Sequence, residues 1–351
     1  MTDADYILQA ISQARLGLGK TWPNPLVGAV IVKDGRIIGQ GYHQSYGNHH
    51  AEVDALNNCT ESPEGATIYV NLEPCCHTNK QTPPCAQRLV QEKLKKVVIA
   101  NLDPNPAVNG KGVELLRANG IEVVAGIEKE QGEKINEVFF HAQKNKTPFI
   151  HLKLATSLDG KIALSNGESK WITGETSRFA VHQLRSHHQG VIIGAQTLRD
   201  DNPKLNVRIP DYRGKQPFRI IFTESGKLPQ SAEVFNDELK NQTLIYTQKN
   251  ISFSHPKENV MIVSSLQEAM SDLFERKMIN LFLEGGAHLT TAFLKERLVN
   301  RVSLFMNPSF IGEGKFSIGD LGLKTLTDRL KLNELESTWT GEDLYLTGRL
   351  F

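Results

Sequence analysis

All four cysteines of this 351-residue chain fall between Cys59 and Cys85, and none follows. A disulfide framework spreads its cysteines through a small secreted chain. Here one short stretch of a long chain holds them all, which confines metal or thiol chemistry to the N-terminal part. Taken singly, each cysteine also reads as a small buried hydrophobe. The length suits about two domains. There are 40 Lys and Arg against 39 Asp and Glu, a net charge of +1, with 39% hydrophobic and 23% charged residues. That is an ordinary globular balance, not a disordered one. No apolar run approaches the ~18 residues of a membrane span. The opening Met1-Thr2-Asp3-Ala4-Asp5 carries acids where a secretion signal carries bases, so a cytoplasmic location is expected. The near-zero net charge weakens the case for a nucleic-acid partner.

Hydrophobic periodicity predicts a helix over 3–20, with Tyr6, Ile7, Ala10, Ile11 and Ala14 on one face and Thr2 or Asp3 as its cap. Val27–Val32 and Arg36–Gly41, split by Lys33-Asp34-Gly35, read as a hairpin. A helix from His50, a strand Thr67–Leu72, a helix opened at Pro84-Cys85, a strand Val97–Ala100, a helix Gly110–Asn119 and a strand Ile121–Val124 complete an αββαβαβαβ unit. Pro74 stops its strand and suits the first turn of a further helix. A helix over about 128–144 leads to Asn145-Lys146-Thr147-Pro148, where the domain boundary is placed: 1–146 and 147–351. The second unit is again α/β. Its strands are Phe149–Leu154, Val191–Gly194, Phe218–Phe222, Thr243–Tyr246, Val260–Val263, Leu281–Leu283 and Arg301–Met306, and its helices Thr176–Ser186, Ser265–Arg276 and Ala287–Leu298.

His50-Ala51-Glu52, Glu73-Pro74-Cys75 and Pro84-Cys85 bring one imidazole, two thiols and a carboxylate from three segments. Zinc takes about four nitrogen or sulfur ligands, and a catalytic site leaves one corner to water. His50, Cys75 and Cys85 meet that need, and the metal lowers the bound water's pKa towards ~7. Glu52, two residues after the histidine, is placed to take the water's proton and pass it to a substrate. Helix N-termini favour thiolate, which would assist both cysteines. The set matches the zinc nucleobase-deaminase signature H-x-E…P-C-x-x-C, except that Cys75 and Cys85 stand ten positions apart. Cys76 is a rival ligand. Cys59 reads as core, and His49 and His77 as solvated or supporting. Gly17-Leu18-Gly19-Lys20-Thr21 imitates a phosphate loop, but a helix rather than a strand precedes it.

Asn24-Pro25-Leu26-Val27-Gly28, His50-Ala51-Glu52, Leu72-Glu73-Pro74-Cys75, Thr82-Pro83-Pro84-Cys85 and Asp103-Pro104-Asn105-Pro106 resemble the deaminase half of the bifunctional riboflavin-biosynthesis deaminase–reductases. Lys153–Lys161, Gly167–Thr173, Asp201-Asn202-Pro203-Lys204-Leu205 and Glu284-Gly285-Gly286 resemble the reductase half, so the resemblance runs nearly the whole length. It implies a cytidine-deaminase-like three-layer domain followed by a dihydrofolate-reductase-like α/β domain. The first would hydrolyse the 2-amino group of a diaminopyrimidinone ribosylamine 5′-phosphate, and the second would use NADPH to reduce the ribosyl side chain to ribityl. The implied cofactors are Zn2+ and NADPH. The small phosphorylated pyrimidine is the implied partner, and a homo-oligomer is expected. One departure stands out: between Cys75 and Cys85 the loop is one residue longer than the family's, and Cys76 stands where the family has serine. Lys80 lies in that loop.

The resemblance implies metal ligands His50, Cys75 and Cys85, proton shuttle Glu52 and a substrate contact at Asn24. In the second unit it implies cofactor contacts at Ala155, Trp171, Thr197, Asp201 and Gly286. It places substrate contacts at Ser169, Arg185, Leu205, Arg208 and Glu284, with Lys153 and Asp201 supporting the reduction. A reductase of this kind needs no reactive group of its own, since the cofactor carries the hydride. It needs positive groups for phosphates, and Arg185, His187, His188, Arg199 and Arg208 are candidates. A strand running into Glu284-Gly285-Gly286 and then a helix lets a phosphate approach backbone N–H groups, though a tight turn reads the same way. No G-x-G-x-x-G fingerprint is present, which argues against a Rossmann domain.

Two other readings stand beside this one. A nucleic-acid-editing deaminase with a C-terminal binding module would show a basic, aromatic surface and salt-dependent RNA affinity. A non-enzymatic scaffold would close its zinc with a fourth protein ligand, Cys76 or His77.

Overall fold

The computed structural model describes residues 1–76 and 84–350. Two compact units emerge, Met1–Lys146 and Thr147–Phe351. Among the described residues no helix is long and apolar enough to cross a membrane.

The first unit runs α1 (Asp3–Arg15), β1 (Gly28–Lys33), β2 (Arg36–Tyr42), α2 (Ala51–Asn57), β3 (Thr67–Leu72), α3 (Cys85–Gln91), β4 (Lys96–Asn101), α4 (Lys111–Ala118), β5 (Glu122–Ala125), α5 (Lys129–Ile135) and α6 (Glu137–Asn145). Thr2 caps α1 in a reciprocal box with Asp5, its hydroxyl receiving the Asp5 N–H while the Asp5 carboxylate receives the Thr2 N–H. The helix ends at Arg15 rather than near residue 20, and Leu16–Lys20 turn away from it. Asp34 and Gly35 both take positive φ, as the tight β1–β2 hairpin requires. The sheet order is β2-β1-β3-β4-β5, with β1 antiparallel to both neighbours and β3, β4 and β5 parallel.

Strand alternation sorts side chains to two faces. Val30, Tyr69 and Val98 pack under α1 with Ile127 and Ile135, while Ile31, Ile68 and Ile99 pack under α2, α3 and α4. This gives three layers, and each fully buried Ile or Val adds about 1.5–3 kcal/mol over an exposed one. Gly41 decides where α2 lies: a Cβ there would stand 2.2 Å from the Ala55 nitrogen, so only glycine lets the helix that carries Glu52 settle on β2.

The second unit runs β6 (Phe149–Ser157), β7 (Lys161–Leu164), α7 (Glu175–Ser186), β8 (Gly190–Gly194), α8 (Ala195–Asp201), β9 (Phe218–Thr223), β10 (Thr243–Thr247), β11 (Val260–Ile262), α9 (Leu266–Glu275), β12 (Asn280–Leu283), α10 (Ala287–Lys295), β13 (Val299–Asn307), β14 (Gly314–Phe316), β15 (Asn333–Thr340) and β16 (Asp343–Arg349). Nine strands form one sheet in the order β11-β10-β9-β8-β12-β6-β13-β16-β15. Neighbours from β11 to β13 are parallel, and β16 and β15 close the sheet antiparallel. β7 and β14 form a separate antiparallel pair. One core lies under α9 and α10 around Leu244, Tyr246, Leu281 and Phe293.

Candidate active sites

In the first unit, His50 is the N-cap of α2, Cys75 follows β3 by three residues, and Cys85 opens α3. The His50 Nδ1 stands 3.6 Å from the Cys75 Sγ and 3.3 Å from the Cys85 Sγ. All three donor atoms lie within 4.8 Å of one another, and this is the metal-competent cluster found among the described residues. Zinc bonds of ordinary length to nitrogen and sulfur give tetrahedral edges of roughly 3.6 Å, so the donor set fits Zn2+ with one corner left over. Cys76 is not part of the cluster. His77 and Lys80 lie outside the described residues.

Two expectations are corrected. Glu73–Cys76 are not helical, so Cys75 is not at a helix N-terminus. Instead its Sγ accepts the Cys85 N–H at 3.3 Å and its carbonyl accepts the Ala86 N–H at 3.1 Å. The ligand is held by the start of α3 rather than by a helix of its own. The helix expected over 128–144 is two helices, broken at Asn136.

Glu52 is buried on the inner face of α2, in hydrogen-bond contact with the Cys85 thiol. Burial, with Cys75 beside it, pushes its carboxyl above the usual carboxylate range. Asn24 reaches the cluster through a residue that the sequence reading did not single out. Its Nδ2 meets the His43 Nε2 at 3.1 Å, and the His43 ring packs edge-on against His50 with centroids 5.5 Å apart. Burial pulls the His43 pKa down, and its Nδ1 meets the His49 carbonyl at 2.9 Å. The one available signal was its position just beyond the second hairpin strand. Cys59 packs in the core beside Ala55, its thiol donating to the Ala55 carbonyl.

In the second unit a cavity of about 750 Å³ opens at the carboxyl ends of the parallel strands, where ligands of open α/β sheets bind. Lys153, Ala155, Ser169, Thr197, Asp201, Glu284 and Gly286 all line it. The Gly286 N–H donates to the Thr197 hydroxyl at 3.1 Å, joining α8 to the start of α10. Arg185 stands behind Glu284, paired with it, and its Nη1 donates to the Asn206 carbonyl. Burial pulls the Lys153 ammonium pKa down, against the pull of Glu284.

Leu205, Arg208, Trp171 and His188 are not brought to the cavity wall. Leu205 is buried in the core beside Val191 and Ile193, with φ of +56°. Arg208 donates to the Asn206 side chain and, through its backbone, to His182. Trp171 is 69% exposed, and the Arg178 guanidinium stacks 4.6 Å from its ring centre. His188 is not a phosphate contact: its ring stacks on Phe282 and its Nδ1 meets the Leu184 carbonyl. Arg199 does line the cavity, steadied by the Lys227 carbonyl and Gln196. Thr223, Ser225 and Gln248, beyond any sequence signal, complete the rim at the ends of β9 and β10.

Fold and sites define a two-unit chain with a zinc-deaminase first half and a strand-end cavity in the second. The cytidine and deoxycytidylate deaminase zinc-binding region matches residues 1–101, and the RibD C-terminal domain matches residues 148–346. The chain is 40% identical to the riboflavin biosynthesis protein RibD of Actinobacillus pleuropneumoniae, covering 99% of this chain and 95% of that one. It is 42% identical to RibD of Aquifex aeolicus, over 98% and 97%. The structure of Acinetobacter baumannii RibD superposes with a TM-score of 0.90 at 35% identity, covering 99% of each chain. The Thermotoga maritima diaminohydroxyphosphoribosylaminopyrimidine deaminase/5-amino-6-(5-phosphoribosylamino)uracil reductase superposes with a TM-score of 0.88 at 34% identity, again covering 99% of each. The chain belongs to the RibD family, the bifunctional deaminase–reductases of riboflavin biosynthesis. Zinc and NADPH are the cofactors its two domains call for.

Proposed function

We propose that residues 1–146 hydrolyse the 2-amino group of a diaminopyrimidinone ribosylamine 5′-phosphate, and that residues 147–351 then reduce its ribosyl side chain to ribityl. The observation that carries the first step is the burial of Glu52 against a one-nitrogen, two-sulfur donor set. His50, Cys75 and Cys85 would hold the zinc. When bound, zinc supplies the Lewis acidity that brings a water's pKa towards ~7. Glu52 takes a proton from the attacking water as the water oxygen bonds to C2 and hands it to the 2-amino group. The C2–N bond then breaks, ammonia leaves, and the second proton stays on the ring nitrogen beside the new C2 carbonyl. The protein around Glu52 excludes bulk water, which sharpens its electrostatic contacts. Asn24, steadied by His43, orients the pyrimidine.

In the second unit, Ala155, Thr197, Asp201 and Gly286 would hold NADPH, with Trp171 at the exposed edge. When bound, NADPH supplies the hydride. The chain's own task is alignment. Lys153 and Glu284 present a cation and an anion towards the reacting ribosyl carbons, with Ser169 on the same wall. Behind it Arg185 holds Glu284 and the Asn206 carbonyl, and Leu205 and Arg208 flank Asn206, setting the substrate end from the second layer. Lys153 and Asp201 support the reduction, Lys153 as the proton-bearing group and Asp201 from the rim, where Lys170 lies 3.8 Å away. The wider reading is of a cytoplasmic homo-oligomer that does not bind nucleic acid.

The decisive experiment supplies one purified chain with the diaminopyrimidinone phosphate and follows ammonia release and NADPH oxidation together. Ammonia without NADPH oxidation would overturn the second half of the proposal, and neither signal would overturn both.

A further inference from the structure

Glu73 is buried just past the end of β3, two residues before Cys75, and stands outside the His50–Cys75–Cys85 donor set. Its carboxylate is fully engaged. Oε2 accepts the N–H groups of Asp103 at 3.1 Å and Gly110 at 2.9 Å, and Oε1 accepts those of Gly112 at 2.9 Å and Val113 at 3.2 Å. All four donors are backbone groups of one segment, which runs from the end of β4 into α4. The backbone of Glu73 joins the same neighbour, its N–H donating to the Asn101 carbonyl at 2.9 Å. Contact is close enough that a Cβ on Gly112 would stand 2.2 Å from the Pro74 carbonyl oxygen.

Cys75 lies between two fixed points. On one side, Glu73 ties the chain to the 103–113 segment. On the other, the start of α3 binds the Cys75 sulfur and carbonyl through the N–H groups of Cys85 and Ala86. The Asp103-Pro104-Asn105-Pro106 motif is folded onto itself in the same place, with the Asp103 carboxylate accepting the Asn105 N–H at 2.8 Å and the Asn105 side chain accepting the Ala107 N–H at 3.0 Å.

From this we infer that Glu73 is a positioning residue for the metal centre. Its carboxylate locks Cys75 and the 103–113 segment into one rigid piece, so that the Cys75 sulfur is preset where His50 and Cys85 meet it. An anion is required for this. Four N–H groups converge on two oxygens, and an amide would keep one oxygen but turn an NH2 donor against two of the four donors. Ligand preorganisation of this kind governs how tightly and in what geometry a metal is held. The inference rests on His50, Cys75 and Cys85 being the ligands.

The test compares the zinc-loaded full-length chain with Glu73→Gln, following extraction of zinc by an excess of chelating dye and, after cobalt replacement, the thiolate-to-cobalt absorption band. Expected for Glu73→Gln are zinc release at least tenfold faster and a shifted cobalt band. NADPH-dependent reduction by the same chain should be unchanged, which shows that the rest of the molecule is folded. Zinc release and a cobalt band indistinguishable from wild type would overturn the inference alone. A wild-type chain that takes up neither ion would overturn the ligand reading and this inference with it. Should Glu73→Gln not give soluble protein, Gly112→Ala presses on the same contact from the other side and carries the same two outcomes.

Discussion

Arg185 and Glu284 meet side by side, with Nε to Oε1 at 2.9 Å and Nη2 to Oε2 at 3.1 Å, and both side chains are about nine-tenths buried. Burial alone would raise the Glu284 carboxyl, but Arg185 and Lys153 beside it hold it below its ordinary value. A buried pair of this kind is costly to break from one side, because the survivor is left as an uncompensated charge. Arg185→Met should therefore destabilise the second unit by about 3–5 kcal/mol. Arg185→Met with Glu284→Leu should recover only part of that loss, because Lys153 then loses its anion, while reduction stays abolished. Urea unfolding of the three proteins measures the first effect and NADPH oxidation the second. A single variant that unfolds at the wild-type urea concentration would show that the pair does not compensate charge.

Glu52→Gln separates the two chemistries. The amide fills the same space on α2 but carries no titrating proton, so deamination should fall by roughly 10²–10⁴-fold. Bound zinc, measured by metal analysis, should remain at wild-type content, because Glu52 is outside the His50–Cys75–Cys85 donor set. Reduction of pre-deaminated substrate should be unaffected. Normal ammonia release from this variant would remove Glu52 from the proton path.

What could be read from the sequence, and what could not, follows from the kind of information each feature needs. His50, Cys75 and Cys85 were legible because metal chemistry restricts residue type, and Asp34-Gly35 because a tight hairpin demands positive φ. β15 was not legible. Its residues Asn333–Thr340 are almost all exposed at a sheet edge, so no alternation marks them, and pairing with β16 alone makes them a strand. The break at Asn136 was hidden for a related reason. The apolar pattern of 128–144 runs on through it, while the cause, a side chain drawn 110 residues back along the chain to Leu26, is tertiary. Glu73 escaped in the same way: its four partners lie 30 to 40 residues downstream.

Acid should weaken the second unit through a fixed chain of histidines. The Leu184 carbonyl can only accept, so the His188 Nδ1 carries the proton. The His188 Nε2 then accepts from the His151 Nδ1 at 3.2 Å, and the His151 Nε2 accepts from the Ser303 hydroxyl at 2.8 Å. Both rings are neutral in this arrangement, and a second proton, on the His188 Nε2, would face the His151 N–H. Burial pulls His188 down to about 4 and His151 well below its ordinary value; neighbouring charges are His187, Arg301 and Glu284. His182, on the same helix, is also drawn down to about 4, by burial and by Arg185 and Arg208. The unfolded chain takes up these protons near pH 6.5, whereas folded His188 and His182 do so only near 4, so stability is full above 6.5 and falls as pH drops through that window. At pH 5 the contribution of His188 amounts to about 2 kcal/mol lost. Thermal unfolding at pH 7.5, 6 and 5 should show the decline, and His188→Gln should make it shallower, His182 and His151 supplying the rest. A wild-type midpoint constant from pH 7.5 to 5 would contradict the assigned tautomers.

Asn136 clips the segment that carries Asn24. Its Oδ1 accepts the Leu26 N–H and its Nδ2 donates to the Leu26 carbonyl, both at 2.8 Å, while Asn71 adds a second donor to that carbonyl at 2.9 Å. All of this is buried, so the Leu26 N–H has nowhere else to go. Asn136→Ala should cost about 1–3 kcal/mol for the stranded donor. Because Leu26 lies two residues beyond Asn24, the freed segment should also loosen the Asn24–His43 contact and raise the KM of deamination more than it lowers kcat. Asn136→Asp tests the sign of the second bond. A carboxylate still accepts the N–H, but it turns an oxygen towards the Leu26 carbonyl, so it should be no more stable than alanine despite keeping the shape of asparagine. An aspartate variant as stable as wild type would mean that Asn71 alone suffices for that carbonyl, and that Asn136 acts only through the Leu26 N–H.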